Sequence, residues 1–142
     1  MSVVSDSTNK VVANITVGSE PWGDAYDVAT HEVFVGNEAS DNVSVISDST
    51  DQVVATVSVG QDPEGVAYDP GTSEVWVANH DGKNASVISD ATDKVVATVS
   101  LGSYPIELAY DSGESELFVA DYSTNSANVI SDGTIKVIAT VS

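Results

Sequence analysis

The chain has 142 residues, no cysteine, and 22 acidic residues against four lysines and no arginine, for a formal charge of −18. Without cysteine there are no disulfides, no thiolate metal sites and no thiol nucleophile. A charge of that sign repels phosphate backbones and anionic lipid, so nucleic-acid binding is excluded as a reading, and no apolar run is long enough for a membrane-spanning helix, so membrane insertion is too.

One 42-residue phrase recurs throughout. Gly18, Gly60 and Gly102 stand 42 apart, as do Pro21, Pro63 and Pro105, and Tyr26, Tyr68 and Tyr110. Such a period marks a repeat architecture, in which each unit buries its apolar face against the next. In chain order, the first piece predicts two strands, Ser2–Ser5 and Lys10–Val17. The middle copy shows a full unit. Glu64–Asp69 is short and apolar, and Pro70–Ser73 is a turn. Glu74–Asn79 is β-branched and aromatic. His80–Asn84 carries an Asp-Gly turn signal, Ala85–Ser89 is a third strand, and Lys94–Gly102 is a fourth.

In the equivalent fourth strand of the preceding copy, Val53, Ala55, Val57 and Val59 alternate with Val54, Thr56 and Ser58. That predicts one buried and one wetter face. The first two strands are apolar on both sides, which predicts deeper burial. Four antiparallel strands per unit, labelled A to D from the axis outward, apolar inside and amphipathic outside, give an all-β fold of β-propeller blades, about three and a half per chain. The expected division treats 1–142 as a single repeat domain: half blade 2–17, blade 1 at 18–59, blade 2 at 60–101 and blade 3 at 102–142.

The segments Val33–Asn37, Val75–Asn79 and Leu117–Asp121 resemble the Tyr-Val-Thr-Asn signature of the YVTN β-propeller repeat. The surrounding Val-Ile-Ser-Asp…Val-Ala-Thr-Val phrase is similar to the same family, which includes archaeal surface-layer and surface-antigen type proteins. The resemblance covers essentially the whole chain. Phe or Trp stands for the family's Tyr, Gly or Ala for its Thr, and Asp121 for its last Asn. It implies an extracellular or cell-surface protein with a structural role.

Propellers close with about four to eight blades, so three and a half leave apolar faces open; the chain is then a fragment of a longer repeat protein, or copies of it assemble into a ring, or they polymerise. The expected partner is another copy of the chain, assembled into a ring, sheet or filament through blade or strand complementation. The runner-up is a ligand-binding propeller, with Trp22, Asp62 and Tyr104 near the start of strand A as a candidate rim for a glycan, peptide or small molecule; cell-surface glycans are the partner that the surface reading adds. Three Asn-x-Ser/Thr triplets, at Asn42, Asn84 and Asn14, are candidate N-glycosylation sites, the first two expected on exposed loops.

Nothing in the sequence assembles a catalytic group, so it is not read as an enzyme, and no metal or cofactor is expected. There is no nucleophile elbow, no phosphate-binding loop and no metal-ligand spacing; His31 and His80 read as solvated loop residues. Asp6, Asp48, Asp90 and Asp132, each in Ser-Asp-x-Thr, read as closing their own turns, and Asp27, Asp69 and Asp111 as opening the turn after strand A.

Overall fold

The computed structural model describes residues 1–142 and contains fourteen strands. β1 (Ser2–Ser5) and β2 (Lys10–Asn14) form a two-stranded hairpin. β3 (Pro21–Asp27), β4 (Glu32–Asn37), β5 (Asn42–Ser47) and β6 (Gln52–Ser58) form blade 1. β7 (Pro63–Asp69), β8 (Glu74–Asn79), β9 (Asn84–Ser89) and β10 (Lys94–Ser100) form blade 2. β11 (Pro105–Asp111), β12 (Glu116–Asp121), β13 (Ser126–Ser131) and β14 (Lys136–Val141) form blade 3. Every sheet is an antiparallel meander in chain order, so strands A to D run from the inside outward as the sequence predicts. β2 ends at Asn14, three residues short of the expected strand.

Each blade has a leading face toward the preceding unit and a trailing face toward the next. The cores lie between blades. Phe34, Val43, Val45 and Val57 of blade 1 pack on Val66, Val75, Val77 and Ile88 of blade 2. Trp76, Ala78, Ala85, Val87 and Val99 of blade 2 pack on Leu108, Leu117, Val119 and Ile130 of blade 3. The hairpin contributes Ile15 and Val3 against Val33, Val35 and Ile46. β8 is almost wholly buried because both of its faces are covered.

The alternation expected of strand D breaks at one point. Ala55 pairs with Val45, but Val53 pairs with Ile46, so the register slips by one residue. This β-bulge sends Val53 to the face opposite Ala55 and Val57 and leaves Val53 and Val54 exposed. The same slip recurs in β2, β10 and β14.

Two features lock neighbouring elements. Asn37 Nδ2 donates to Asn42 Oδ1 (2.8 Å) and Ser44 Oγ (2.9 Å), and Asn79 repeats this with Asn84 and Ser86. The last residue of the signature therefore clamps strand B to strand C. In blade 3 the polarity is reversed: Asp121 accepts from Asn128 Nδ2 at 2.7 Å, so the Asp121 departure is matched by Asn128 where the other blades have serine.

The second lock crosses between blades. Tyr68 donates to Asp90 Oδ2 (3.4 Å) of its own blade and also meets Asp27 of blade 1. Tyr110 does the same with Asp132 (3.3 Å) and Asp69 of blade 2. Asp48, Asp90 and Asp132 thus hold the strand-A tyrosine of their own blade. Asp90 and Asp132 also accept turn N–H groups, from Ala91 and Gly133, as the sequence predicts, and the turns are closed further by backbone bonds such as Asp51 N to Ser47 O (3.0 Å) and Asp93 N to Ser89 O (3.0 Å). Asp27 and Asp69 do open the A–B turns, accepting from Ala29 N and Gly71 N at 2.7 Å each and from Thr30 and Thr72 hydroxyls.

Tyr68→Phe should therefore cost about 1–2 kcal/mol, because it leaves Asp27 and Asp90 facing each other without their shared donor. Tyr26→Phe, at an exposed position with no inter-blade carboxylate, should cost less than about 0.5 kcal/mol. Urea denaturation followed by circular dichroism measures both; equal losses would remove the inter-blade role of Tyr68.

Candidate functional site

The turns of the blades divide between two rims. The A–B and C–D turns share one rim, which carries the Tyr–Asp contacts. The D–A and B–C loops share the other, because Pro63 at the start of strand A pairs with Asn79 at the end of strand B.

On this second rim Asp62, His80 and Asp81 place one ligand-type atom each within 4.8 Å of one another. His80 Nδ1 lies 3.1 Å from Asp81 Oδ1. The His80 ring also packs on Tyr104, with ring centroids 5.0 Å apart, and Lys83 Nζ sits 4.6 Å over the same tyrosine ring. Asp41 accepts from the Asp62 backbone N–H at 3.1 Å. Burial holds the Asp62 carboxyl above its ordinary range, and the Asp81 carboxylate pushes it the same way. Three donors fall short of the six to eight oxygens of a calcium shell.

Of the candidate rim residues, Asp62 and Tyr104 are thus brought together, with His80 between them. Trp22 is not part of the cluster. It lies in strand β3, two-thirds exposed, at the position that Glu64 and Ile106 occupy in the other blades. The sequence reading missed the cluster because Asp62 and His80 are 18 residues apart and unrepeated; the only signal was that strands A and B must return their loops to one rim. His31 is likewise engaged: its Nδ1 lies 3.0 Å from Tyr26 Oη, which donates to Asp48 Oδ2 at 2.9 Å. His31 stands at the repeat position of Ser73 and Ser115, whose side chains bond Tyr68 and Tyr110, so it makes the same contact within its own blade.

The sequon geometry reverses the expected order of exposure. Asn42 and Asn84 are the first residues of β5 and β9 and are half-buried. Each spends its Nδ2, the atom a glycan would take, on a backbone carbonyl, Ser40 O (2.9 Å) and Gly82 O (2.7 Å). Their Ser44 and Ser86 partners are buried. Asn14 and Thr16 are exposed, and Asn14 Oδ1 accepts from Ser2 Oγ at 2.9 Å, leaving Nδ2 free of protein partners.

No protein-family model and no curated protein sequence matches the chain. Solved structures do. The chain is similar to part of hydrazine synthase from Kuenenia stuttgartiensis, with TM-score 0.91 and 21% identity over 97% of this chain and 41% of that one. It is similar to dihydro-heme d1 dehydrogenase NirN, with TM-score 0.81 and 11% identity over 99% and 32%. A chain of the mitotic checkpoint complex gives TM-score 0.83 and 16% identity over 94% and 43%. All are β-propeller-type folds, and the chain spans less than half the length of each. At these identities the likeness shows the fold: an all-β run of about three and a half propeller blades.

The carboxylates of the rims and inter-blade seams set a pH response. Glu32, Glu64, Glu74, Asp90, Asp93 and Asp121 are all raised above their ordinary values, burial being the largest cause in each, with neighbouring carboxylates adding to it for most. Asp27 is the exception: burial alone would raise it, but hydrogen bonds from Thr30, Ala29 N–H and Tyr68 outweigh that and hold it low. A carboxyl raised in the folded state binds its proton at a pH where the unfolded chain does not, so stability rises as pH falls from neutrality through the raised values. The gain is complete below the ordinary carboxylate range, where the contribution of Asp27 is lost instead. The thermal midpoint, followed by circular dichroism, should be about 5 °C higher near pH 5 than near pH 8. A midpoint that falls steadily from pH 8 to pH 5 would contradict this balance.

Proposed function

We propose that the chain is a structural repeat protein of the YVTN type, working outside the cell or at its surface by assembling with copies of itself. The observation that carries the reading is the state of its last blade. Phe34 and Trp76 are completely buried between blades, whereas Phe118, the same aromatic in blade 3, is 40% exposed. Ala120 and Val141, whose counterparts Ala78 and Val99 are buried, are exposed with it. An apolar blade face of this kind asks for a partner. The charge of −18 opposes association between copies and weakens as salt screens it, so the reading requires assembly that strengthens with salt. The reading assigns no catalytic step.

One observation favours a second reading, that of a ligand-binding module: the convergence of Asp62, His80, Asp81 and Tyr104 on one rim. Its polar and aromatic groups suit a hydroxyl-rich ligand such as a surface glycan.

Light scattering coupled to size exclusion, with electron microscopy of the same fractions, separates the two. Assembly predicts masses above the 14.6 kDa chain that grow with protein concentration and with salt. A single monomeric mass across micromolar concentrations and up to molar salt, in a chain with native β circular dichroism, would remove it.

A further inference from the structure

The two ends of the blade array are matched in an unexpected way, and the match specifies the contact that the assembly reading requires. At outer positions both ends are apolar and open. On the trailing face of blade 3 these are Phe118 and Val141, the latter 59% exposed where Val57 and Val99 are buried. On the leading face of the β1–β2 hairpin they are Val4 and Val11. Val4 is 58% exposed, whereas Ile46, Ile88 and Ile130 at the same place are buried against a preceding sheet. Val11 is 56% exposed, against values near one-third for Val53, Val95 and Val137, which have a sheet in front of them.

At inner positions both ends are closed. Within the chain each strand A lies directly against the next, β7 between β3 and β11. Glycine makes that approach possible. A Cβ at Gly23 would fall 2.3 Å from Glu64 O, and one at Gly65 would fall 2.7 Å from Glu107 Cα. Blade 3 carries Glu107 at this position, and its Cβ disfavours a strand A as close as β7 and β11 lie to the blades before them, although its carboxylate turns back to accept from Leu108 N. On the leading side, Val66 and Leu108 are buried core residues, but blade 1 has the exposed Asp24 there. β1 and β2 are outer strands, C and D, so their apolar leading face meets the outer half of blade 3 away from Glu107.

We propose that the outer half of blade 3 seats the β1–β2 hairpin of a second copy, face to face, with Val4 and Val11 covering Phe118 and Val141. The contact involves no strand exchange. Pairing of β12 with the next copy's β1 would bring that copy's β3 beside β11, pressing it on the Cβ of Glu107 and turning Asp24 toward the trailing face of blade 3. Edge-to-edge pairing is disfavoured as well, because Lys10, Lys94 and Lys136 open the outermost strands β2, β10 and β14 with a charge. A contact between two different surfaces of the same chain propagates head to tail and gives a ring or a filament according to its rotation.

The proposal rests on the self-assembly reading, and the test separates their failures. Val4→Asp and Phe118→Asp each place a carboxylate in one half of the contact at an already exposed site; circular dichroism melts verify folding, and Val11→Asp replaces the first variant should its hairpin be disturbed. Each variant alone should lose association by roughly tenfold or more, because a carboxylate would be buried unpaired. An equal mixture should restore it, but only as far as two-chain species, since each variant keeps one intact half. Glu107→Gly should leave association within about twofold of the original chain, because the seated hairpin has no inner strand near that residue. Assembly unaffected by either carboxylate overturns the contact while leaving self-assembly standing. A mixture that stays monomeric overturns the head-to-tail pairing, and a Glu107→Gly chain that associates tenfold more strongly points to strand exchange and overturns the stacked mode. An original chain that is monomeric under all conditions removes the assembly reading itself.

Discussion

Everything in this molecule depends on the fact that a four-stranded sheet with two apolar faces cannot bury either of them alone. Val45 and Ile46 are successive residues of one strand, and they belong to two different cores, one on each side of blade 1. Stability is therefore held at the seams between blades, in nearest-neighbour fashion. The 42-residue period is the sequence trace of that constraint. The tyrosine–aspartate contacts add direction to it, because Tyr68 and Tyr110 each reach a carboxylate of the blade before them.

The same constraint explains the differences among the copies. Where a seam is complete, the residues are interchangeable: Phe34 or Trp76, Val66 or Leu108, Val75 or Leu117. Where it is incomplete, the residues change character. Asp24 replaces a core aliphatic, and Glu107 replaces a glycine that admits a neighbouring strand. These substitutions lie at the two ends of the blade run and are polar or bulky in the inner half only.

Much of the fold was legible in the sequence because repetition turns one reading into three. Strand B is a case in point: Glu74–Asn79 was expected and observed with the same limits. Strand D departs from its pattern, since alternation assumes an even register and Val54 sits in a bulge that no side-chain pattern announces. The local half of the role of the C–D turn aspartates is legible, since Asp90 and Asp132 take turn N–H groups, but their hydroxyl partners lie 22 residues earlier in the chain, beyond the reach of a local motif. The rim cluster was illegible for a related reason. Asp62 meets His80 through the return of a hairpin, and neither residue recurs at the period that made the rest readable. The sequons show the limit of a local motif: Asn42 and Asn84 satisfy the pattern, but their amides are spent on the fold.

The Gly23–Gly65–Glu107 series has a consequence for where damage in such a chain is felt. A side chain added at Gly23 or Gly65 has no room against the strand that follows, because its Cβ would fall 2.3 Å from Glu64 O or 2.7 Å from Glu107 Cα. The strain falls on the seam with the next blade and not on the strand that carries the change. A substitution in one repeat therefore reads out as the loosening of its neighbour.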